Sequence, residues 1–153
     1  MPHVLKLMDE FVNNSTTLQA DDHLRFIPEP WSVYEVTFKI KYDSPTGADL
    51  KIGFTLPDSC RFDFFAHGPN VSASADTALR TGTFEWSAGG GSSATFGGLG
   101  PNASLWIRGL LFVEDTIGDF GLQWAQATAT VGNSRVRYMS YMTYQYLEGN
   151  PGY

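Results

Sequence analysis

Residues 35–56 read EVTFKIKYDSPTGADLKIGFTL, and this stretch decides the fold class. Apolar and polar side chains alternate without a break over residues 35–42. The alternation resumes over residues 49–56, after a turn-forming segment at residues 43–47 that contains proline and glycine. A period of two is typical of a half-buried strand, in which successive side chains point to opposite faces. The stretch therefore predicts a β-hairpin whose two strands each bury one apolar face.

Shorter segments of the same kind occur along the rest of the chain, separated by sixteen glycines and eight prolines. Apolar residues do not recur at helical spacing for three turns anywhere in the sequence. We therefore expect an all-β fold, an antiparallel β-sandwich of about eight or nine strands with jelly-roll-like connections. The expected strands are residues 4–7, 23–27, 31–42 (with a bulge near Tyr34), 49–56, 61–65, 83–87, 105–113, 120–124 and 135–147. Residues 89–100 are rich in glycine and are expected to form a long loop.

The length of 153 residues fits one domain with a substantial core. We expect residues 13–153 to form the sandwich and residues 1–12 to form an N-terminal arm or an edge strand. Such an arm can add a strand to the sheet edge of a neighbouring molecule. Leu5, Leu7 and Phe11 are its candidate contact residues.

The composition argues against several partners. The net charge is −6 and the ten lysines and arginines are scattered, whereas nucleic-acid binding needs a basic footprint. An acidic balance also disfavours anionic membranes, and no apolar run approaches the ~18 residues of a membrane span. The single cysteine, Cys60, excludes an intrachain disulfide and is expected to be a small buried hydrophobe rather than a catalytic thiol.

The sequence contains no recognisable catalytic or cofactor motif. Its three histidines lie far apart, and neither a nucleophile elbow nor a phosphate-binding glycine loop is present. Asp21-Asp22-His23 has two interpretations, a metal site or a polar turn leading into a strand. The turn is favoured because adjacent residues of a strand point to opposite faces. We therefore predict a non-enzymatic protein with no catalytic residues, no metal site and no cofactor; a glycoside hydrolase with paired carboxylates is the enzymatic alternative.

Two segments carry large apolar side chains on both strand faces, although a sheet core uses only one face. In residues 105–113 the second face carries Trp106, Leu110 and Phe112. The C-terminal strand is rich in tyrosine and methionine, which are enriched in interface cores. The candidate interface residues are therefore Leu5, Leu7, Phe11, Trp106, Leu110, Phe112, Tyr138, Tyr141, Tyr144 and Tyr146.

The four tryptophans raise the alternative of a sugar-binding module, because aromatic rings can stack on sugars. Trp106 and Trp124 lie in strongly apolar strands and, taken singly, are expected in the core. Trp31 and Trp86 remain open candidates for a stacking platform for a host glycan.

Five phrases together resemble a family of small bacteriophage virion proteins, found as free-standing products or as the ends of fibre and tail proteins. They lie at residues 13–24, 31–42, 49–57, 105–113 and 122–126, so that the resemblance covers about residues 4–147. The most specific are Asn-Ser-Thr-Thr-Leu-Gln and Leu-Gln-Trp-Ala-Gln. Family members usually continue the second phrase with Asn-Thr-Ser, where this chain has Ala127-Thr128-Ala129.

The resemblance implies a structural protein at the surface of the virion, made in the host cytoplasm, and it carries over no catalytic residues. We expect a capsid decoration protein that binds the major capsid protein as a homotrimer. Decoration is favoured over a fibre because the chain begins at Met1 as a small domain and has no shaft repeat. The alternatives are a tail or fibre component and a module that binds host carbohydrate.

Overall fold

The computed structural model describes residues 1–71, 78–91 and 93–149. These residues form an all-β protein, which confirms the predicted fold class. Thirteen strands lie within the described ranges. They are β1 (His3–Leu5), β2 (Glu10–Asn13), β3 (Gln19–Phe26), β4 (Ser32–Ser44), β5 (Leu50–Thr55), β6 (Arg61–Pro69), β7 (Leu79–Ser87), β8 (Gly90–Gly91), β9 (Ala94–Phe96), β10 (Gly100–Val113), β11 (Phe120–Gln126), β12 (Asn133–Val136) and β13 (Tyr141–Gly149).

The strands form two antiparallel sheets that pack as a β-sandwich. The large sheet has nine strands in the described ranges and follows the order β1-β13-β4-β10-β6-β7-β8, with β12 pairing both β4 and β2. The small sheet has four, in the order β3-β11-β5-β9. The finer expectation of jelly-roll connections stays a prediction. β1 lies at the edge of the large sheet and pairs with β13, and β2 pairs with β12, so both strands of this segment pair within their own chain.

The core lies between the sheets and is built from the predicted strand faces. Val36, Phe38, Ile40 and Tyr42 of β4 are all fully buried, as is Leu50 at the start of β5. Aromatic rings meet across the gap between the sheets. Ring centroids lie 5.7 Å apart for Phe38 and Phe54, 4.9 Å for Phe54 and Phe62, and 5.0 Å for Phe62 and Phe120. Trp124 is also fully buried, as predicted.

The predicted hairpin of residues 35–56 is wrong, although both of its strands exist. β4 pairs with β10, β12 and β13 in the large sheet, whereas β5 pairs with β9 and β11 in the small one. The connection carries the chain from one sheet to the other and is closed by hydrogen bonds from the Ala48 and Asp49 N–H groups to the Pro45 carbonyl. Asp49 adopts φ 55° there. The apolar faces of β4 and β5 therefore meet across the core instead of lying side by side in one sheet. The prediction failed because alternation specifies the buried face of a strand but not its pairing partner.

The C-terminal strand predicted at residues 135–147 is two strands. A turn at residues 137–140 separates β12 from β13, with Met139 at φ 68° and the Ser140 N–H bonded to the Arg137 carbonyl. The bulge predicted near Tyr34 is displaced to the opposite strand. β4 alternates regularly there, and the register shift lies in β13 between Tyr146 and Glu148.

The glycine-rich segment at residues 89–100 is not one long loop. It contains β8 and β9, and Phe96 is fully buried against β5 of the small sheet; Ser92 lies outside the described residues. Strands of two to four residues such as these raise the count above the eight or nine expected, since so few residues give no alternation signal. Cys60 is buried as expected, and burial raises the pKa of its thiol.

Tyr42 makes the stability of the folded protein depend on pH in the alkaline range. Its hydroxyl donates a 2.6 Å hydrogen bond to the Gly97 carbonyl, and burial, reinforced by the Asp49 carboxylate, raises the pKa of Tyr42 well above its ordinary value. Because the folded-state pKa is the higher one, the stabilisation is complete below about pH 10 and is lost as the pH rises further. We expect Tyr42→Phe to flatten this alkaline decrease. At neutral pH it should cost about 1 kcal/mol, since the Gly97 carbonyl loses its donor.

Urea unfolding of both proteins at neutral and alkaline pH measures the difference between their unfolding free energies. If the two proteins lose stability in parallel above about pH 10, the assignment to Tyr42 fails.

Candidate functional site

The outer face of the large sheet, which points away from the core, carries large apolar side chains interspersed with charged and polar ones. One row runs from Leu5 through Tyr141, Lys39 and Trp106 to His67, each residue opposite the next on adjacent strands. Residues directly opposite on one sheet face have their side chains in contact range. The strand register therefore brings three predicted interface residues, Leu5, Trp106 and Tyr141, onto one surface.

Leu110 and Phe112 continue this outer face along β10, and Phe65 of β6 adds an aromatic ring that the sequence did not single out. Leu110 lies between Glu35 and Asp63 in the register, and Phe65 lies beside Arg108. Phe65 is 44% exposed, comparable with the other large apolar side chains of this face. The strand at residues 61–65 was predicted from the apolar side chains Phe62 and Phe64, and Phe65 on the opposite face was not considered as an interface residue.

The assignment of Trp106 to the core is wrong, because this side chain is 42% exposed on the outer face. The Lys39 ammonium lies 5.2 Å from the centroid of its ring. In the same way the Arg61 guanidinium lies 4.7 Å from the ring centroid of Phe112. Exposed cation–π contacts are worth about 0.5–1 kcal/mol, so they stabilise these ring positions only weakly.

A shallow groove of about 460 Å³ lies in the middle of the outer face. Leu110 and Phe65 form part of its apolar lining, and Glu35 and Arg108 lie at its side. The Arg108 guanidinium donates two hydrogen bonds to one Glu35 oxygen, at 2.6 and 3.1 Å. This ion pair is largely exposed, so it fixes the shape of the groove more than it stabilises the fold.

A second exposed apolar group, the edge cluster, comprises Leu7, Met8, Phe11, Tyr138 and Met139, all at least half exposed. Its two chain segments are held side by side by backbone hydrogen bonds between Lys6 and residues 139–140, each 2.8 Å long. Arg135 bridges Asp9 and Asp43 beneath them. Burial raises the pKa of Asp43, but the Asn102 N–H and the Arg135 guanidinium outweigh it and hold that pKa below its usual range.

The remaining tyrosine and tryptophan candidates do not join these surfaces. Tyr144 packs against the core, with its ring stacked on Phe26 at 3.8 Å, and Tyr146 meets the ring of Tyr34 edge-on. Trp86 is only 6% exposed and packs on Phe54, so it offers no stacking platform for a sugar. Trp31 is about half exposed and stands alone at a bend with φ 55°.

The most unusual polar group lies inside the protein, where Lys6, Glu10 and Asp21 meet. The side chains of Lys6 and Asp21 are completely buried, and the Lys6 Nζ lies 2.7 Å from Asp21 Oδ2. The same ammonium donates a hydrogen bond to Glu10 Oε1. A lysine is almost never buried without a partner, and this one has two carboxylates. The sequence did not suggest the group, because Asp21 lies 15 residues beyond Lys6 and only the fold brings the two side chains together.

A bulge in β3 organises the Asp21 carboxylate. Gly121 and Gln123 of β11 pair with Arg25 and Ala20, so that residues 21–24 bulge out of the ladder. Two N–H groups released by the bulge, those of His23 and Leu24, each donate a 2.9 Å hydrogen bond to Asp21 Oδ1. One carboxylate oxygen is thus held by backbone donors while the other faces the Lys6 ammonium.

Glu10, Asp21 and His23 together have the ligand types of a metal site, with ligand atoms within 4.8 Å of one another. The turn expected before the strand is wrong, because residues 21–23 lie within β3, at its bulge. The bulged backbone leaves Asp21 and His23 close together beside Glu10. The Lys6 ammonium, however, already supplies a positive charge to the carboxylates. His23 Nδ1 lies 3.6 Å from Glu10 Oε1 and has no hydrogen-bond partner among the described residues.

The fold and these surfaces define an all-β, two-sheet protein with an outer face that mixes exposed apolar and charged side chains, an apolar edge cluster and a buried lysine–carboxylate group. No family model matches the sequence, no curated protein is significantly similar to it, and no solved structure matches its fold. In the described part of the chain, no helix has the length and apolar character that crossing a membrane would require. The resemblance to phage virion proteins thus rests on the sequence phrases alone.

Proposed function

We propose that this chain is a structural protein of a bacteriophage particle that decorates the capsid exterior as a homotrimer bound to the major capsid protein. The observation that carries the proposal is the group of large apolar side chains that the outer face of the large sheet exposes among its charged residues. An antiparallel sheet face that meets only water is usually polar. Here Trp106, Leu110 and Phe65 are each more than a third exposed. The particle location and the trimer number rest on the resemblance.

The outer face is assigned to contacts between copies of the chain. Its aromatic and arginine side chains are of the types enriched at interface cores. Burial of apolar area contributes roughly 25 cal/mol per Å² to the free energy of association. The largest contributions are therefore expected from Trp106 and Phe65, whose exposed rings would become buried between copies. The groove beside Leu110 provides a recess for a side chain of the neighbouring copy.

The edge cluster is assigned to the capsid contact. It lies at the margin of the large sheet, where β1 has β13 on one side only. An edge strand leaves backbone donors and acceptors free to pair with a strand of another protein. Leu7 and Phe11 would then supply the apolar contacts beside that added strand. Deleting residues 1–12 is a poor test, because it also removes the buried Lys6.

The variant Leu110→Lys tests the contact between copies. A lysine at this position lies between Glu35 and Asp63, so the single chain should tolerate it, while a charge in an apolar interface should not be tolerated. We expect the wild-type protein to be trimeric by native mass spectrometry and the variant to be monomeric with an unchanged circular dichroism spectrum. Val131→Lys, which replaces an exposed apolar residue in a loop, is the matched control and should remain trimeric.

Particle binding is tested in the same series with a phage that encodes this sequence. We expect cryo-electron microscopy to show the wild-type protein on the capsid exterior, and Phe11→Lys to remain trimeric while losing this density. A wild-type monomer, or absence of the protein from purified particles, would contradict the proposal. Density on the tail would replace the decoration role by that of a tail component.

A further inference from the structure

The buried group of Lys6, Glu10 and Asp21 is arranged for covalent chemistry that the proposed function does not use. An amine that forms an amide with a carboxyl group must lose protons, approach the carboxyl carbon and displace one carboxyl oxygen. Lys6 Nζ lies 2.7 Å from Asp21 Oδ2, one bond from that carbon. We propose that Lys6 and Asp21 become joined by an amide bond between Lys6 Nζ and Asp21 Cγ, with Glu10 transferring the protons.

The two backbone donors to Asp21 Oδ1 are the first feature that favours this reaction over a simple ion pair. As the nitrogen adds to Cγ, negative charge develops on an oxygen of the tetrahedral intermediate. The N–H groups of His23 and Leu24 already point at Oδ1, each at 2.9 Å. Such preorganised donors stabilise a developing oxyanion because they need no rearrangement during the reaction. They also leave Oδ2 as the oxygen that departs.

Glu10 is the second feature that favours amide formation. Lys6 and Asp21 would already balance each other's charge as an ion pair, so a second carboxylate at Lys6 is not needed for neutrality. The Glu10 Oε1 accepts a hydrogen bond from Lys6 Nζ and another, at 2.8 Å, from the Asp22 N–H. The carboxylate is therefore fixed in contact with the attacking nitrogen, as a general base requires. One Glu10 oxygen lies within 4.8 Å of one Asp21 oxygen, and Lys6 Nζ is hydrogen-bonded to both carboxylates, so protons taken up by Glu10 have a short path to the departing oxygen.

The reaction balances without any further reagent. Lys6 begins as an ammonium and Asp21 as a carboxylate. Two protons leave Nζ by way of Glu10, the C–N bond forms, and the bond from Cγ to Oδ2 breaks. Oδ2 takes both protons and leaves as one water molecule, and Glu10 ends in the protonation state in which it began. No atom changes its oxidation state.

Complete burial favours both the formation and the persistence of the bond. The folded chain holds the two groups together, which replaces a bimolecular encounter by a unimolecular step. The side chains of Lys6 and Asp21 have no exposed area, so bulk water has no direct access for hydrolysis. Because Lys6 is hydrogen-bonded to the β12–β13 turn and Asp21 belongs to β3, the bond would join the two sheets.

Mass spectrometry of the full chain under denaturing conditions tests the proposal directly. We expect the folded, purified protein to be lighter than its sequence mass by one water molecule, and fragment spectra to show Lys6 linked to Asp21. Asp21→Asn should reach the same final mass, because the same amide forms with loss of ammonia. Glu10→Gln should keep the full mass of its sequence, since the proton acceptor is lost.

Lys6→Arg is the control for dehydration elsewhere in the chain, because a guanidinium does not form the bond. A wild-type protein that keeps its full sequence mass overturns the proposal and leaves an ion pair at this site. So does a water loss that persists in Lys6→Arg or that fragments place at other residues. The wild-type mass and the wild-type fragment spectra decide the question even if a variant does not fold, and neither depends on the oligomeric state.

Discussion

Replacing Phe120 by alanine is expected to lower the free energy of unfolding by about 3–5 kcal/mol, the range for removing a fully buried aromatic ring. Phe120 opens β11 of the small sheet and has no exposed area. Its ring stacks on Phe54 at 5.8 Å within its own sheet and meets Phe62 of the large sheet edge-on at 5.0 Å. The variant leaves a cavity at the contact between the two sheets, which the surrounding rings cannot fill without leaving their own contacts. Urea unfolding followed by tryptophan fluorescence measures the loss.

Ile117→Ala is the matched control for Phe120→Ala, because it truncates an apolar residue in the connection just before β11. Ile117 is 70% exposed, so its truncation should change the unfolding free energy by less than about 0.5 kcal/mol. Equal effects of the two substitutions would mean that the aromatic contact between the sheets does not hold the sandwich together.

The burial of Phe120, like that of the inward side chains of β4 and β5, was predictable from local pattern. A period of two is a property of each strand alone, so the inward faces of β4 and β5 could be assigned before any pairing was known. The pairing itself could not. β4 finds its partners β10 and β13 far along the chain, and β5 joins the other sheet, because long-range packing decides between pairings that local alternation leaves equal.

The candidate site divides in the same way. Trp106 and Leu110 were predictable as interface candidates because their strand is apolar on both faces, and this excess is visible in sequence. The buried group of Lys6, Glu10 and Asp21 was not predictable. Lys6 lies beside the large sheet and Asp21 lies in the small sheet, so they meet only because the two sheets pack together. A lysine side chain is normally solvated, so its residue type gave no signal of burial.

Gln126 connects the two phrases Asn-Ser-Thr-Thr-Leu-Gln and Leu-Gln-Trp-Ala-Gln in the folded chain. It ends Leu-Gln-Trp-Ala-Gln, and its fully buried side chain accepts hydrogen bonds from the Ser15 N–H at 3.3 Å and the Thr130 N–H at 3.0 Å. Ser15 belongs to the Asn-Ser-Thr-Thr-Leu-Gln phrase. The amide nitrogen donates to the Gly132 carbonyl at 3.0 Å and to the Ser134 hydroxyl at 3.2 Å. One side chain thus fixes the segment before β3 and the connection from β11 to β12.

Gln126→Leu is expected to lower the free energy of unfolding by about 3 kcal/mol, because it preserves the apolar bulk but leaves several buried or half-buried backbone groups without a partner. Gln123→Leu is the matched control from the same strand. Gln123 makes one side-chain hydrogen bond, to Thr55 at 3.0 Å, so its loss should cost no more than about 1 kcal/mol. In hydrogen exchange, the amides of Ser15 and Thr130 should lose protection in Gln126→Leu and keep it in Gln123→Leu. If protection at Ser15 survives the loss of the amide, the backbone bond from the Gln126 N–H to the Ser15 carbonyl suffices to join the two phrases, and the side chain serves only the connection to β12.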